Sequence, residues 1–138
     1  MLKPTKLRED QILFRAAAPG GTSLASDADF IPARVADDVI TAGGVGKFSA
    51  PVLDRILSSK ALDVRPFINE IDQGMRGGST PQDLETMMQL LYLRFTQPRA
   101  DPAAFAAMAG QAKSLLANQL ASPDVVFEQS IDATLSAN

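Results

Sequence analysis

The stretch ALDVRPFINEIDQGMRGG, Ala61 to Gly78, decides the fold class. From Ala61 to Asn69 the residues alternate, with Leu62, Val64, Pro66 and Ile68 on one side. Glu70 to Arg76 continues the run, and Gly77-Gly78 ends it. A period of two is the mark of a half-buried strand. The two runs therefore predict a strand pair of the hairpin kind. Pro66 has no N–H to give a ladder, which puts its strand at a sheet edge or a bulge.

Downstream the chain turns helical. Thr80-Pro81, Asp101-Pro102 and Ser122-Pro123 each couple a capping residue to a proline at the first helical position. Thr80 with Asp83 approximates a capping box. The helix from Pro81 to Phe95 carries Leu84, Met87, Met88, Leu91 and Phe95 on one face, with Leu90 and Leu93 on a second. Two apolar sides predict burial between layers. Further helices are predicted over Pro102 to Ala121, through Phe105, Met108, Leu115, Leu116 and Leu120, and over Pro123 to Ser136, through Phe127, Ile131 and Leu135.

Upstream, Gln11 to Ala18 reads as a buried strand closed by Pro19-Gly20-Gly21, and Met1 to Pro4 as the end of an earlier strand, with Thr5 to Asp10 as the turn. Asp29 to Thr41 places Ile31, Val35, Ala36, Val39 and Ile40 at helical spacing, with Asp29 as cap and Gly43-Gly44 as stop. A short helix follows over Ser49 to Ser58. The expected order is ββααββααα. That is an α+β fold in which helices cover an antiparallel or mixed sheet.

The 138 residues suit one domain, with 46% hydrophobic residues to build a core. The net charge of −3 offers no basic footprint for nucleic acid and no polybasic patch for a membrane. No apolar run reaches the ~20 residues a bilayer span needs. The chain has no cysteine and no histidine. Disulfides and thiolate metal sites are excluded, and so are the commonest zinc ligand and the usual neutral-pH acid–base group.

Three candidate sites remain. AGGVGKFS, Ala42 to Ser49, imitates a phosphate loop through Gly46-Lys47. However, Phe48 replaces the magnesium-binding hydroxyl, and Thr41 stands where the first glycine belongs. The plainer reading is that Gly43 or Gly44 ends a helix in a left-handed cap. The acids Asp27, Asp29, Asp37 and Asp38 lack the spacing of a calcium loop and read as a cap and a solvated face. Ser23, Ser26, Ser49, Ser58, Ser59 and Ser79 have no histidine to activate them, and no motif marks a Ser-Lys pair. Tyr92 reads as core. Catalytic, cofactor-binding and metal-binding residues are therefore expected to be none.

LKPTKLREDQILFRAAAPGGTSLASDADFIPA resembles the opening of an insulinase/pitrilysin-type zinc peptidase domain. There, a strand ending in a "VLKP"-like segment leads to a second strand, a "PGG" or "PGS" turn, and the helix that carries HxxEH in active copies. AGGVGKFSAPVLDRIL and STPQDLETMMQLLYLRFTQPRADPAAF are similar to the large bacterial members, built from four such domains in two clam-like halves. The resemblance runs from Leu2 to Ser136. It implies the processing-peptidase-like domain fold. The zinc motif would fall near Arg34-Val35-Ala36-Asp37-Asp38, where neither histidine is present. The resemblance thus implies one non-catalytic domain over residues 1–138, trimmed at its ends, with zinc only in the parent's catalytic domain. It also implies the catalytic half and a peptide as partners, no nucleic acid or membrane partner, and a periplasmic or exported setting. An open sheet edge would invite self-association. Two alternatives stand beside it: a free-standing interaction module using that edge, and a nucleotide-binding protein using Gly43 to Lys47.

Overall fold

The computed structural model describes residues 1–136 except Leu7 and Ser122; the side chains of Leu120, Gln129 and Ser136 are not described. The expected cap at Ser122, part of the Thr5–Asp10 turn and the apolar role of Leu120 lie outside the described residues. The chain divides into two compact units, Met1–Pro102 and Ala103–Asn138.

In the first unit β1 (Ile12–Pro19) is followed by a 3-10 turn at Gly21–Leu24, α1 (Phe30–Arg34), α2 (Ala36–Gly43) and α3 (Ala50–Leu57). Then come β2 (Leu62–Ile68), β3 (Asp72–Ser79), a 3-10 turn at Pro81–Asp83 and α4 (Leu84–Thr96). The three strands form an antiparallel sheet in the order β1-β3-β2. The fold is α+β, as the alternation of Ala61–Gly78 implies, and β2 with its Pro66 is an edge strand.

Four local expectations are corrected. Residues 1–5 form no strand; Lys3 and Pro4 leave little to bury there and one fewer donor. Next, β1 alternates between half-buried and exposed positions instead of being buried on both faces, because helices cover only one side of the sheet. The single helix expected over Asp29–Thr41 is two, parted at Val35 (φ −108°, ψ 3°). Asp29 makes no side-chain cap bond. Its carboxylate instead accepts from Ser26 Oγ at 2.7 Å.

The fourth correction concerns α4. It buries Met87, Leu90 and Arg94, while Met88, Tyr92 and Phe95 are exposed. The helix covers one layer rather than lying between two, so Tyr92, 66% exposed, is not core. The core is Val45, Leu53, Val64, Met87 and Leu90, with Phe14, Phe48, Leu57, Leu62, Leu84, Leu91 and Leu93 packed against it.

Thr80 is the cap its sequence promised: its Oγ1 accepts the Asp83 N–H at 3.3 Å. The Pro19-Gly20-Gly21 turn docks on the β2–β3 loop. Gly20 donates to Ile71 O at 2.9 Å, and Thr22 donates to Asn69 O at 2.9 Å. Gly21 (φ +71°) runs so close to Asn69 and Glu70 that no Cβ fits.

The second unit contains α6 (Pro123–Ser136) and all of α5 (Pro102–Leu120) beyond its first residue. Among the described residues no helix is long and apolar enough to cross a membrane.

Candidate functional site

The glycine loop is structural. It leaves helix α2 rather than a strand, which is the wrong context for a phosphate loop. Gly44 (φ +88°) ends that helix, and its N–H goes to Thr41 O at 3.2 Å. The positive φ is as expected, but its ψ of −149° is not that of a left-handed helical cap. Val45 and Phe48 exchange backbone hydrogen bonds of 2.9 Å, and Gly46 donates to Gln97 O at 2.8 Å. The amides that would cradle a phosphate are thus spent inside the protein. The Lys47 ammonium sits over the Phe48 ring, 5.6 Å from its centroid.

The acids do not converge. Asp29 is engaged by Ser26, while Asp37 and Asp38 lie in the first turn of α2, where negative charge suits the helix dipole. Among the described residues no group of three or more His, Cys, Asp or Glu could hold a metal ion. The positions nearest the zinc motif, Arg34 to Asp38, straddle the break at Val35. Two ligands four apart need one continuous helical face. Both the residues and the backbone therefore fail to fit zinc, and no chemical step is drawn through it.

A feature that sequence reasoning missed lies on the sheet face away from the core. Strand register sets Arg76 of the central strand opposite Arg15 of β1 and opposite Arg65 of β2. Three guanidiniums therefore line up across the sheet. Their alternating positions were visible in the sequence; only the pairing register brings them into a row.

The next row holds Ala17, Gly74 and Phe67. Phe67 is only 4% exposed, and Arg15 (4.8 Å from the ring centroid) and Arg76 (6.0 Å) lie over its ring. Arg15 Nη2 also donates to Asp72 Oδ2 at 2.8 Å. The Asp72 carboxyl is held below its ordinary value, first by the Asn69 side-chain hydrogen bond (2.7 Å) and, against a smaller cost of burial, by Arg15. Arg65 lies 3.9 Å from Asp63. A groove of about 900 Å³ adjoins the row, with Leu13, Arg15, Asp63, Arg76 and Gly78 in its lining.

At the other face of β2, Arg94 of α4 is 8% exposed, and its Nε and Nη1 atoms have no hydrogen-bond partner. Burial lowers its pKa, and repulsion from Arg65 adds to this, while Asp54 acts in the opposite sense.

No protein-family model matches the chain. It is 33% identical over 85 residues to a Haemophilus influenzae protein described as "Probable zinc protease PqqL". That match takes in 62% of this chain and 9% of the protease. Two solved structures share its fold. The periplasmic protease PqqL from Escherichia coli superimposes with a TM-score of 0.69 at 17% identity, over 94% of this chain and 14% of that protein. The ferredoxin protease FusC, in complex with Arabidopsis ferredoxin, gives 0.66 at 15% identity, over 89% of this chain and 14% of FusC. The matched portions are thus a small fraction of each relative's length. Sequence match and shared fold together support a likeness to the insulinase-like zinc peptidases.

Proposed function

We propose that the chain acts as a non-catalytic domain of an insulinase-like zinc peptidase, helping to enclose a peptide against a catalytic half that carries the histidines. The observation behind this reading is the complete absence of histidine and cysteine in a chain with this family's fold. Such a domain cannot supply the HxxEH ligands or activate a zinc-bound water. What it can supply is a wall. Confining a substrate beside a reactive centre turns an encounter into a near-unimolecular step.

The partners in this reading are the catalytic half and the peptide. Zinc belongs to that half in this reading, and the periplasmic setting of a structural relative supports an exported one here. The test is peptidase activity with added zinc, measured on this chain alone, on a histidine-bearing half alone, and on their mixture. Silence alone, with the mixture exceeding the half, is the expected result. Cleavage by this chain alone would overturn it.

A second reading is an interaction module that uses the outer edge of β1, which has no strand partner among the described residues. An unpaired edge templates pairing with another chain. A concentration-dependent dimer in analytical ultracentrifugation would favour it; a monomer throughout would remove it.

A further inference from the structure

We infer that the outward face of the sheet binds an acidic peptide segment, with one carboxylate of that segment pairing with Arg76. Like charges directly opposite one another on a sheet are destabilising, yet Arg15, Arg76 and Arg65 stand in one row. The flanking members have carboxylates: Asp72 at 2.8 Å from Arg15 and Asp63 at 3.9 Å from Arg65. Arg76, in the middle, has no ion pair among the described residues, and its guanidinium lies 6.0 Å from the centre of the Phe67 ring.

Two further features suit a peptide. Gly74 and Gly78 flank Arg76 on the same face of β3, so along its own strand no side chain stands beside it; its neighbours are Arg15 and Arg65 on the adjoining strands. The Arg76 guanidinium also lies at cation–π distance, 6.0 Å, from the Phe67 ring, and its planar fork loses little freedom per hydrogen bond when it pairs. An arginine fork matches a carboxylate in two parallel hydrogen bonds. Other charges near the groove divide between Arg8 and Lys60 on one side and Asp10 on the other, and Lys60 is already tied to Asp83 at 3.1 Å. The whole chain is acidic, with a net charge of −3, so attraction for an acidic peptide must come from a local cluster of basic residues rather than from the overall charge.

The inference rests on the reading of the domain as a peptide-enclosing wall and names the class of peptide that wall retains. It is tested by binding rather than cleavage, so the two can fail separately. A short fluorescein-labelled peptide alternating Glu and Ser is titrated with the 138-residue chain and followed by anisotropy, beside a counterpart alternating Gln and Ser. The Glu peptide is expected to bind about tenfold tighter and to be released by added salt. Arg76→Gln should weaken it by about the same factor, while Lys47→Gln on the glycine loop leaves it unchanged. Equal binding of the two peptides, indifference to salt, or full affinity in a folded Arg76→Gln variant would each overturn the inference. Should Arg76→Gln fail to fold, the peptide comparison and the salt titration on the unaltered chain still decide. A chain that boosts the catalytic half yet ignores the Glu peptide would sink this inference and leave the proposed function standing.

Discussion

Val45 and Phe48 exchange both of their backbone hydrogen bonds across Gly46 and Lys47. That reciprocal pair turns a sequence resembling a phosphate loop into a tight corner whose first residue is a core side chain, 0% exposed.

A mutational contrast follows. Lys47 is exposed, so Lys47→Ala should change stability by no more than ~0.5 kcal/mol. Val45→Ala removes methyl groups from a filled core and should cost about 2–3 kcal/mol. Urea denaturation of the two variants checks this. A large loss at Lys47 would mean that the ammonium has a role beyond its contact with Phe48.

Helix α4 supplies a second contrast. Leu90 is buried in the core cluster, and Leu90→Ala should cost about 2–5 kcal/mol. Phe95 is 60% exposed, and Phe95→Ala should fall nearer the ~0.5 kcal/mol of surface changes. Leu91, packed against the core but not fully buried, should lie between them. The ordering Leu90, Leu91, Phe95 in chemical denaturation is the expected result. Equal losses at Leu90 and Phe95 would mean that the helix is covered on both sides.

The hairpin was legible because alternation over Leu62–Ile68 and the Gly77-Gly78 stop are local signals. The α4 start was legible because Thr80, Pro81 and Asp83 act within one turn. What stayed hidden depends on distant partners. Phe67 falls outside the Leu62-Val64-Pro66-Ile68 stripe, yet it is buried, and Arg15 arrives from a strand far away in sequence to lie over its ring. The arginine row needs the register between three strands. The break at Val35 leaves no mark in the spacing, because Ile31, Val35, Ala36, Val39 and Ile40 keep helical period straight through it. The two sides of α4 looked alike in sequence, and only the one-sided sheet separates buried Leu90 from exposed Tyr92.

Arg94 offers a test with the opposite sign. It occupies a buried position on α4 between apolar neighbours, with two nitrogens unpaired. A buried charge costs several kcal/mol of desolvation, which the Asp54 carboxylate opposes. Replacing it with a flexible apolar side chain of similar length removes that cost and keeps the packing. Arg94→Met should therefore raise stability by about 1–4 kcal/mol, read as a higher denaturant midpoint with an unchanged slope. A lower midpoint would show that the attraction of Asp54 outweighs the cost of burial.

The last prediction concerns acid stability and Asp83. Its Oδ2 accepts the Ala61 N–H at 2.9 Å, and its Oδ1 pairs with Lys60 Nζ at 3.1 Å. It also accepts from Thr80 Oγ1 at 3.2 Å. Together these bonds tie the start of β2 to the start of α4. They hold the carboxyl below its ordinary 3.8, the Ala61 backbone bond contributing most and Lys60 next. A carboxylate with a depressed folded-state pKa binds fewer protons folded than unfolded. Its stabilisation is therefore complete above the unfolded value and fades as pH falls through 3.8 and on through the depressed folded value. Asp83→Asn should lower stability near neutral pH and flatten the acid limb of the stability curve in that window, leaving the two proteins closer together in strong acid. Denaturation midpoints measured from neutral to strongly acid pH decide it: parallel curves for Asp83→Asn and the unaltered chain would show that the carboxylate carries no charge-dependent share of the tie.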